Sequence, residues 1–186
     1  MAVASSRLTL EEFLKLPEEK PALEFFGGAI AKKVSPKGRH SRLQSVLVRL
    51  IEESAQHGQV AWALPELRTT FAGTSVVPDI SVYRRERIPV DAGGEIADVF
   101  CEPPDIAIEI VSPEQSVNAL VRRCLWYVAH GVHVALLIDP ADRSVLAFRP
   151  DEPAVAWHGP DRIEMPEVVP DFDLTVQGLF DSLRHE

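Results

Sequence analysis

Lysine is scarce in this sequence and is confined to its start, since none of the five lysines lies beyond residue 37. Two acidic segments further along, VVPDISVYRR and PPDIAIEIV, therefore have only arginine as a basic residue close by in the sequence. The chain as a whole is acidic, with a formal net charge of −9 at pH 7. Because neutralisation of phosphate supplies most nonspecific affinity for nucleic acid, this charge argues against a surface that binds nucleic acid indiscriminately. Any nucleic acid is expected to bind in a restricted groove.

Cysteine is also rare, and several familiar motifs are missing. Cys101 and Cys124 form no CxxC pattern, which predicts reduced thiols in a cytoplasmic protein. No apolar run approaches the roughly 20 residues that a membrane-spanning helix needs, and the N-terminus lacks a signal-peptide core. The sequence contains no GxSxG motif, no Walker loop and no glycine-rich dinucleotide fingerprint. We therefore expect no membrane partner.

Length and composition predict a single domain over residues 1–186. Of these residues, 46% are hydrophobic and 25% are charged, as in globular proteins. A chain of this length can bury roughly two-thirds or more of its surface, so it needs no disulfide or structural metal to fold.

Local patterns predict the helices. Thr9 and Glu12 form a capping-box pattern that opens a short helix. Apolar residues at helical spacing predict a second helix over residues 39–57, with Gly58 as its stop. Ser112 is the predicted N-cap of a third helix that continues to His130. A final short helix is expected over residues 176–183.

Strand-forming segments lie between these helices and predict an α+β fold, in which helices flank a mixed central sheet. Gly27-Gly28 is a hairpin turn signal between two short strands. A strand over residues 106–111, the third helix and a strand over residues 134–138 have the length of a βαβ crossover, which favours two parallel neighbours. The other predicted strands span residues 59–64, 67–71, 79–83 and 145–148, with two or three weak ones in the tail.

Two carboxylates on these strands are unusual. Residues two apart in a strand share a face, so Ile106, Ile108 and Ile110 point into the core and Glu109 points the other way. A carboxylate inside such an apolar run is costly unless it is paired, hydrogen-bonded or bound to a metal. Asp79 begins another predicted strand. Two carboxylates from neighbouring strands, together with a backbone carbonyl, make a hard oxygen site of the kind that Mg²⁺ prefers.

The pattern alone leaves a structural alternative open. Asp79 could be a solvent-facing acid at a strand start, and Glu109 could be paired with Arg122 or Arg123. Three arginines that follow the Asp79 strand are better explained as a solvated strand end than as a phosphate contact. They are Arg84, Arg85 and Arg87.

Six segments of the sequence resemble, in order and spacing, the Uma-two family, which is described as putative restriction endonucleases. The segments are LTLEEFLKLP, ALEFFGGAI, KVSPKGRHSRLQSVLVRL, VVPDISVYRRERIP, PPDIAIEIVSPEQS and YVAHGVHVALLIDP. The resemblance runs from Leu8 to Leu183. The family is similar to the PD-(D/E)xK nuclease superfamily, so the resemblance implies a restriction-endonuclease-like core and, by analogy with homodimeric nucleases, a homodimer.

The resemblance also implies a function and a set of site residues. It implies hydrolysis of phosphodiester bonds in DNA that depends on Mg²⁺, with Mn²⁺ as a substitute. Asp79 and Glu109 would be the metal ligands, and Glu24 falls where the family carries its upstream acid. His40 matches a recurrent histidine at the start of the following helix.

The cation of the family pattern is replaced. In the superfamily the lysine lies two residues after the glutamate, and this sequence has Val111 there. In the family the lysine has moved into the next helix, at the position of Arg123, and an aspartate precedes it at the position of Ala119. Arginine can hold a phosphate but cannot act as a general base. Two functions follow: a metal-dependent endonuclease in which Arg123 contacts phosphate, or a catalytically silent member of the fold that serves as a DNA-binding or protein-interaction module.

Overall fold

A six-stranded mixed sheet forms the centre of the protein in a computed structural model that describes residues 8–55 and 60–185. Its strand order is β10-β9-β8-β7-β6-β3. The strands are β3 (Ala61–Pro65), β6 (Ile80–Arg84), β7 (Ile106–Ile110), β8 (Val134–Asp139), β9 (Ser144–Phe148) and β10 (Val155–His158). β7 and β8 are parallel and the other neighbours are antiparallel. The predicted parallel crossover is therefore confirmed.

A second, four-stranded sheet was not predicted. Its order is β2-β1-β5-β4. The strands are β1 (Leu23–Phe26), β2 (Ala29–Lys32), β4 (Thr69–Phe71) and β5 (Thr74–Val76). The turn at Gly27-Gly28 joins β1 to β2 as expected, and both glycines have positive φ. The prediction of one central sheet was incomplete because the predicted strand over residues 67–71 covers β4, whereas β5, with three residues, is too short to be recognised by alternation.

Four α-helices accompany the sheets in the described residues. They are α1 (Leu10–Phe13), α2 (Gly38–Ser54), α3 (Val117–Ala129) and α4 (Val176–Asp181). Thr9 and Glu12 form the predicted capping box at α1. The predicted end of the second helix at residues 57–58 lies outside the described residues. Within the described parts of the chain, no helix is long and apolar enough to cross a membrane.

The start of α3 differs from the prediction. Ser116, not Ser112, is the N-cap, and its side chain accepts a hydrogen bond from the backbone N–H of Ala119. The segment from Ser112 forms a turn instead, in which the Gln115 side chain accepts a hydrogen bond from the Ser112 backbone N–H. A local capping pattern thus closed a turn and did not begin the helix.

Both faces of β7 are buried. The predicted core face, Ile106, Ile108 and Ile110, packs in one hydrophobic cluster with residues of α2 and α4. The opposite face, which includes Ala107, packs in a second cluster with residues of α3. The carboxylate of Glu109 points to this second face, so it lies beneath α3.

Candidate functional site

Three carboxylates from separate segments converge beside α3. Glu24 lies in β1, Asp79 directly precedes β6, and Glu109 lies in β7. The antiparallel register of β6 and β7 places Asp79 across from Glu109, one position beyond the Ile80–Ile108 pair. Each of the three residues, taken as a whole, has only 2% of its surface exposed. Ionised carboxylates at this depth need compensating charge or hydrogen bonds.

Arg123 supplies part of that charge from α3. Its Nη1 and Nη2 atoms donate to the two carboxylate oxygens of Glu24 at 3.0 Å and 2.7 Å, and Nη1 lies 3.5 Å from Oε1 of Glu109. The guanidinium also stacks over the Phe26 ring at 5.5 Å. Arg122, its neighbour in the sequence, is exposed. Of the two arginines, Arg123 is the one that faces the acids.

A lysine supplies further positive charge, although arginine is the only basic residue close to the two acidic segments in the sequence. Lys33 directly follows β2, and its Nζ atom lies 2.8 Å from Asp79 Oδ1 and 2.9 Å from Glu66 Oε2. It also donates to the backbone carbonyl of Val77 at 2.7 Å. The side chain is 8% exposed. Lys33 could not be found by looking for basic residues near the acids in the sequence. It reaches Asp79 because the hairpin packs against the start of β6.

Asp79 is held as a carboxylate by its neighbours. Its Oδ2 atom accepts a hydrogen bond from the backbone N–H of Ile110 at 2.6 Å and lies 2.9 Å from Nε2 of His40. Burial raises the pKa of Asp79, but the hydrogen bond to His40 and the charge of Lys33 outweigh it, so the pKa is below its ordinary value. His40, predicted at the helix start, is therefore part of the acid cluster.

Glu109 is the acid whose charge is least well compensated. Burial raises its pKa from 4.5 to about 7; the charge of Arg123 opposes this rise, and the charge of Asp79 adds to it. The Tyr127 hydroxyl donates to Glu109 Oε1 at 2.7 Å. Nothing in the helical pattern of the sequence distinguishes a tyrosine that binds an acid in this way from one that only packs in the core.

In the described part of the chain, neither Lys32 nor Lys33 of the same hairpin pairs with Glu24. Lys32 binds Glu19 at 3.2 Å, and Lys33 binds Asp79. Glu24 instead accepts from Arg123 and from the backbone N–H of Val77 at 2.8 Å. It thus bridges α3 to the segment that leads into β6.

The donor atoms fit a hard divalent cation in type and charge. Three carboxylates face two permanent cations, Lys33 and Arg123, so the cluster carries one excess negative charge when all three are ionised. Burial is the main cause of the raised pKa of Glu109, and the positive charge of Arg123 does not offset it. Over residues 8–55 and 60–185, no group of three or more His, Cys, Asp or Glu side chains is arranged to hold a metal ion. A cation here would have two carboxylate ligands and would take its remaining oxygens from backbone, water or substrate, as Mg²⁺ commonly does.

A separate ion cluster lies at the other end of β7, where a solvated strand end was expected. Asp105 is fully buried and lies 2.9 Å from Arg87 and 3.5 Å from Arg84. It also accepts a hydrogen bond from the Arg84 backbone N–H at 2.8 Å. Arg84 and Arg87 therefore pair with the buried carboxylate of Asp105 and not with solvent alone.

A cavity of about 990 Å³ borders the acid cluster on the side of Lys33. Its wall combines the segment before β1, the segment after β2 and the loop that precedes β7. The wall includes Lys33, Glu66, Val77, Val99, Phe100 and Cys101.

Comparison with known proteins agrees with the fold and with the resemblance. The sequence matches the Uma2 family, described as "Putative restriction endonuclease", over residues 10–177. It is also similar to a crystal structure of a putative nuclease belonging to DUF820 from Anabaena variabilis ATCC 29413, with 39% sequence identity and a TM-score of 0.92. That match covers 95% of this chain and 99% of the other. No curated protein matches the sequence. The α+β fold class and the family resemblance are both confirmed.

Proposed function

We propose, because the chain belongs to the Uma2 family of putative restriction endonucleases, that it is a metal-dependent nuclease that hydrolyses phosphodiester bonds in DNA. The convergence of Glu24, Asp79 and Glu109 carries the proposal. These acids are distant in sequence, and burying several carboxylates together costs free energy of folding. A fold without a function for them would be expected to avoid this cost. Functional sites are where such costs concentrate.

Asp79 and Glu109 would hold Mg²⁺, or Mn²⁺ in its place. They lie across from each other on neighbouring strands, and the raised pKa of Glu109 fits a group that needs a further positive partner. When bound, the ion supplies activation of water and neutralisation of phosphate charge. His40 and the backbone N–H of Ile110 hold the Asp79 carboxylate in one orientation, which preorganises a ligand before the metal arrives.

Arg123 and Glu24 would act on the substrate side of the same site. The Arg123 fork can exchange its Glu24 partner for phosphate oxygens, which have similar bidentate geometry. Glu24, once released, can accept a hydrogen bond from the attacking water and orient it. Arg123 itself stays protonated, so it stabilises charge and takes no proton.

A specific observation also favours a second candidate, the catalytically silent module. Arg123 already contacts both Glu24 and Glu109, so it can serve as their permanent counter-ion in place of a metal. Val111 and Ala119 stand where the family pattern has a lysine and an aspartate. In this alternative the protein binds DNA or another protein without cleaving. A cytoplasmic location and a homodimer stay predictions from the sequence in either case.

Metal binding provides the first test. Isothermal titration of the protein with Mn²⁺ should show binding that Asp79→Asn and Glu109→Gln each abolish, because each removes one of two carboxylate ligands. Glu114→Gln is the matched control, since this acid is exposed and lies outside the cluster. Undiminished binding by both site variants would refute the assignment of ligands.

Cleavage separates the two candidates. Incubation of supercoiled plasmid with the protein and Mn²⁺ should produce nicks that Glu109→Gln eliminates and Glu114→Gln does not. Wild-type protein that binds Mn²⁺ and DNA but leaves the plasmid intact over hours would support the silent module. Nicking that persists in Glu109→Gln would point to a contaminating nuclease.

A further inference from the structure

Lys33 connects the buried acids to the large cavity. Its Nζ atom contacts Asp79 on one side and Glu66 on the other, and the residue itself lines the cavity. Glu24, Asp79, Glu109 and Arg123 are not part of the cavity wall. A ligand that approaches the acids through this cavity therefore reaches Lys33 first.

We propose that Lys33 binds the phosphate of a nucleic-acid strand that enters through this cavity, and that it takes the place of the lysine missing after Glu109. The proposal deepens the nuclease function above and rests on it. Lys33 comes from the N-terminal hairpin, yet its ammonium contacts Asp79. Asp79 lies directly opposite Glu109 on the neighbouring strand. It donates N–H groups to non-bridging phosphate oxygens, and no covalent bond to it forms or breaks.

The charge state of Lys33 suits this role. Its Nζ atom lies 2.8 Å from the Asp79 carboxylate and 2.9 Å from the Glu66 carboxylate, and these negative charges favour the ammonium form. Lys33 is therefore an ammonium at any physiological pH. It can neutralise phosphate charge or position a water molecule, and it cannot act as a base.

Glu66 is the partner that a phosphate would replace. Its side chain is 40% exposed, whereas that of Asp79 is 3% exposed. An anion from the cavity can exchange with the exposed carboxylate and leave the buried pair intact. The Gln44 side chain donates to Glu66 Oε1 at 3.1 Å and to the backbone carbonyl of Asp79 at 2.7 Å. These bonds hold Glu66 beside Lys33, where its carboxylate competes with phosphate for the ammonium.

The burial of the acids and the apolar wall of the cavity favour a single strand over a duplex. The acids lie behind Lys33 and are almost fully buried, so a scissile phosphate has to leave the surface of a helix to reach them. The wall is largely apolar, and its exposed residues include Leu14 and Val99, which suits contact with unstacked bases. We expect single-stranded or locally unpaired DNA to be the preferred substrate class.

The test compares Lys33→Gln with Lys32→Gln, a matched control on the same hairpin whose side chain binds Glu19. Binding of a fluorescent single-stranded oligonucleotide is measured in Ca²⁺ over a range of salt concentrations, and plasmid nicking is measured in Mn²⁺. Lys33→Gln should reduce the salt slope of binding by about one and the cleavage rate on the order of 10²-fold. Its Mn²⁺ affinity should be kept or increased, because a cation beside Asp79 has been removed. Lys32→Gln should match wild type.

Two further variants guard against loss of folding. Lys33→Arg should restore the salt slope, since arginine keeps the positive charge. Glu66→Gln should tighten oligonucleotide binding, because it removes the competing carboxylate, and a purely structural lysine would not produce this opposite effect. Equal salt slopes for Lys33→Gln and Lys32→Gln would overturn the role of Lys33.

Cys101 allows the cavity itself to be probed, since it is exposed in the wall and the other cysteine, Cys124, is buried. A saturating oligonucleotide should protect Cys101 from alkylation by a bulky maleimide. Treatment with the maleimide in the absence of oligonucleotide should reduce cleavage by the wild type but not by Cys101→Ser. Full labelling with full cleavage would exclude entry through the cavity. Wild type that neither binds nor cleaves DNA would instead refute the proposed function itself, which is a different outcome from cleavage that is independent of Lys33.

Discussion

Arg123 and Glu24, 99 residues apart in the sequence, form a two-point ion pair with distances of 3.0 Å and 2.7 Å. The pair joins α3, which packs on the six-stranded sheet, to β1 of the four-stranded sheet. Their side chains are 17% and 3% exposed. A pair at this depth is weakly screened by solvent, so loss of either partner leaves a buried charge that is not compensated.

Removal of the arginine should therefore destabilise the protein strongly. We expect Arg123→Ala to lower the free energy of unfolding by about 3–5 kcal/mol, because Glu24 and Glu109 would remain buried without this counter-ion. Urea unfolding monitored by circular dichroism measures the change. Arg122→Ala is the control, and as an exposed substitution it should change stability by less than about 0.5 kcal/mol. Adding Glu24→Gln to Arg123→Ala should recover part of the loss, and a double variant as unstable as the single one would contradict the ion-pair explanation.

The strands that carry Asp79 and Glu109 could be predicted because the sequence signals there are local. Alternation around Glu109 fixes which face its carboxylate takes, and the crossover length predicts a parallel partner for β7. The register of the hairpin was also available in principle. A two-residue turn at Gly27-Gly28 pairs Glu24 with Ala31, and Lys33, two residues further, shares the face of Ala31. Hairpin geometry could thus have predicted that Lys33 and Glu24 lie on the same side.

Other parts of the site could not be predicted, because they depend on contacts between distant segments. Nothing local to Tyr127 indicates that its hydroxyl reaches Glu109, since its helical position is that of any core residue. The residue pattern alone could not choose between Arg122 and Arg123, because the choice depends on how α3 is rotated on the sheet, and only the family register indicated Arg123. The extent of the cavity depends on three loops whose paths have no periodic pattern. That residues 1–186 form one domain stays a prediction.

The ion cluster around Asp105 should contribute to stability and not to function. Asp105 lies four residues before Glu109, about 13 Å along the strand, and Arg87 is its nearest cation at 2.9 Å. We expect Arg87→Ala to lower the free energy of unfolding by about 3 kcal/mol and to leave Mn²⁺ binding unchanged. Urea unfolding and isothermal titration of the same preparation measure both. Weaker Mn²⁺ binding in a folded variant would show that the two ends of β7 are coupled.

The hydroxyl of Tyr127 should stabilise the protein in a pH-dependent way. It donates to Glu109 at 2.7 Å, and a hydrogen bond to a charged acceptor is stronger than one to a neutral acceptor. Tyr127→Phe should cost about 1–3 kcal/mol of unfolding free energy, with the larger cost at pH 8, where Glu109 is ionised. Tyr83→Phe is the control: the other tyrosine bonds to Thr69 and to the backbone carbonyl of Glu102, so its cost should not change between pH 6 and pH 8.

Glu109 should make the metal-free protein less stable as pH rises towards neutrality. Its pKa is raised from 4.5 to about 7, so between these values the folded state binds more protons than the unfolded state. The free energy of unfolding then falls with rising pH across this window and is constant above it. A shift of this size corresponds to a loss on the order of 3 kcal/mol, at about 1.4 kcal/mol per pKa unit. The lowered pKa of Asp79 acts in the opposite direction and only below its ordinary value of 3.8.

Comparison with Glu109→Gln isolates this contribution, because glutamine keeps the hydrogen-bond acceptor for Tyr127 and does not titrate. Urea unfolding in EDTA should find Glu109→Gln more stable than wild type at pH 8, with the difference shrinking as pH falls to 5. Titrating groups outside the acid cluster cancel in the difference between the two proteins. Saturating Mn²⁺ should reverse the order at pH 8, since the metal stabilises ionised Glu109 in the wild type only. A difference that stays constant from pH 5 to pH 8 would mean that Glu109 titrates normally and is compensated without a metal.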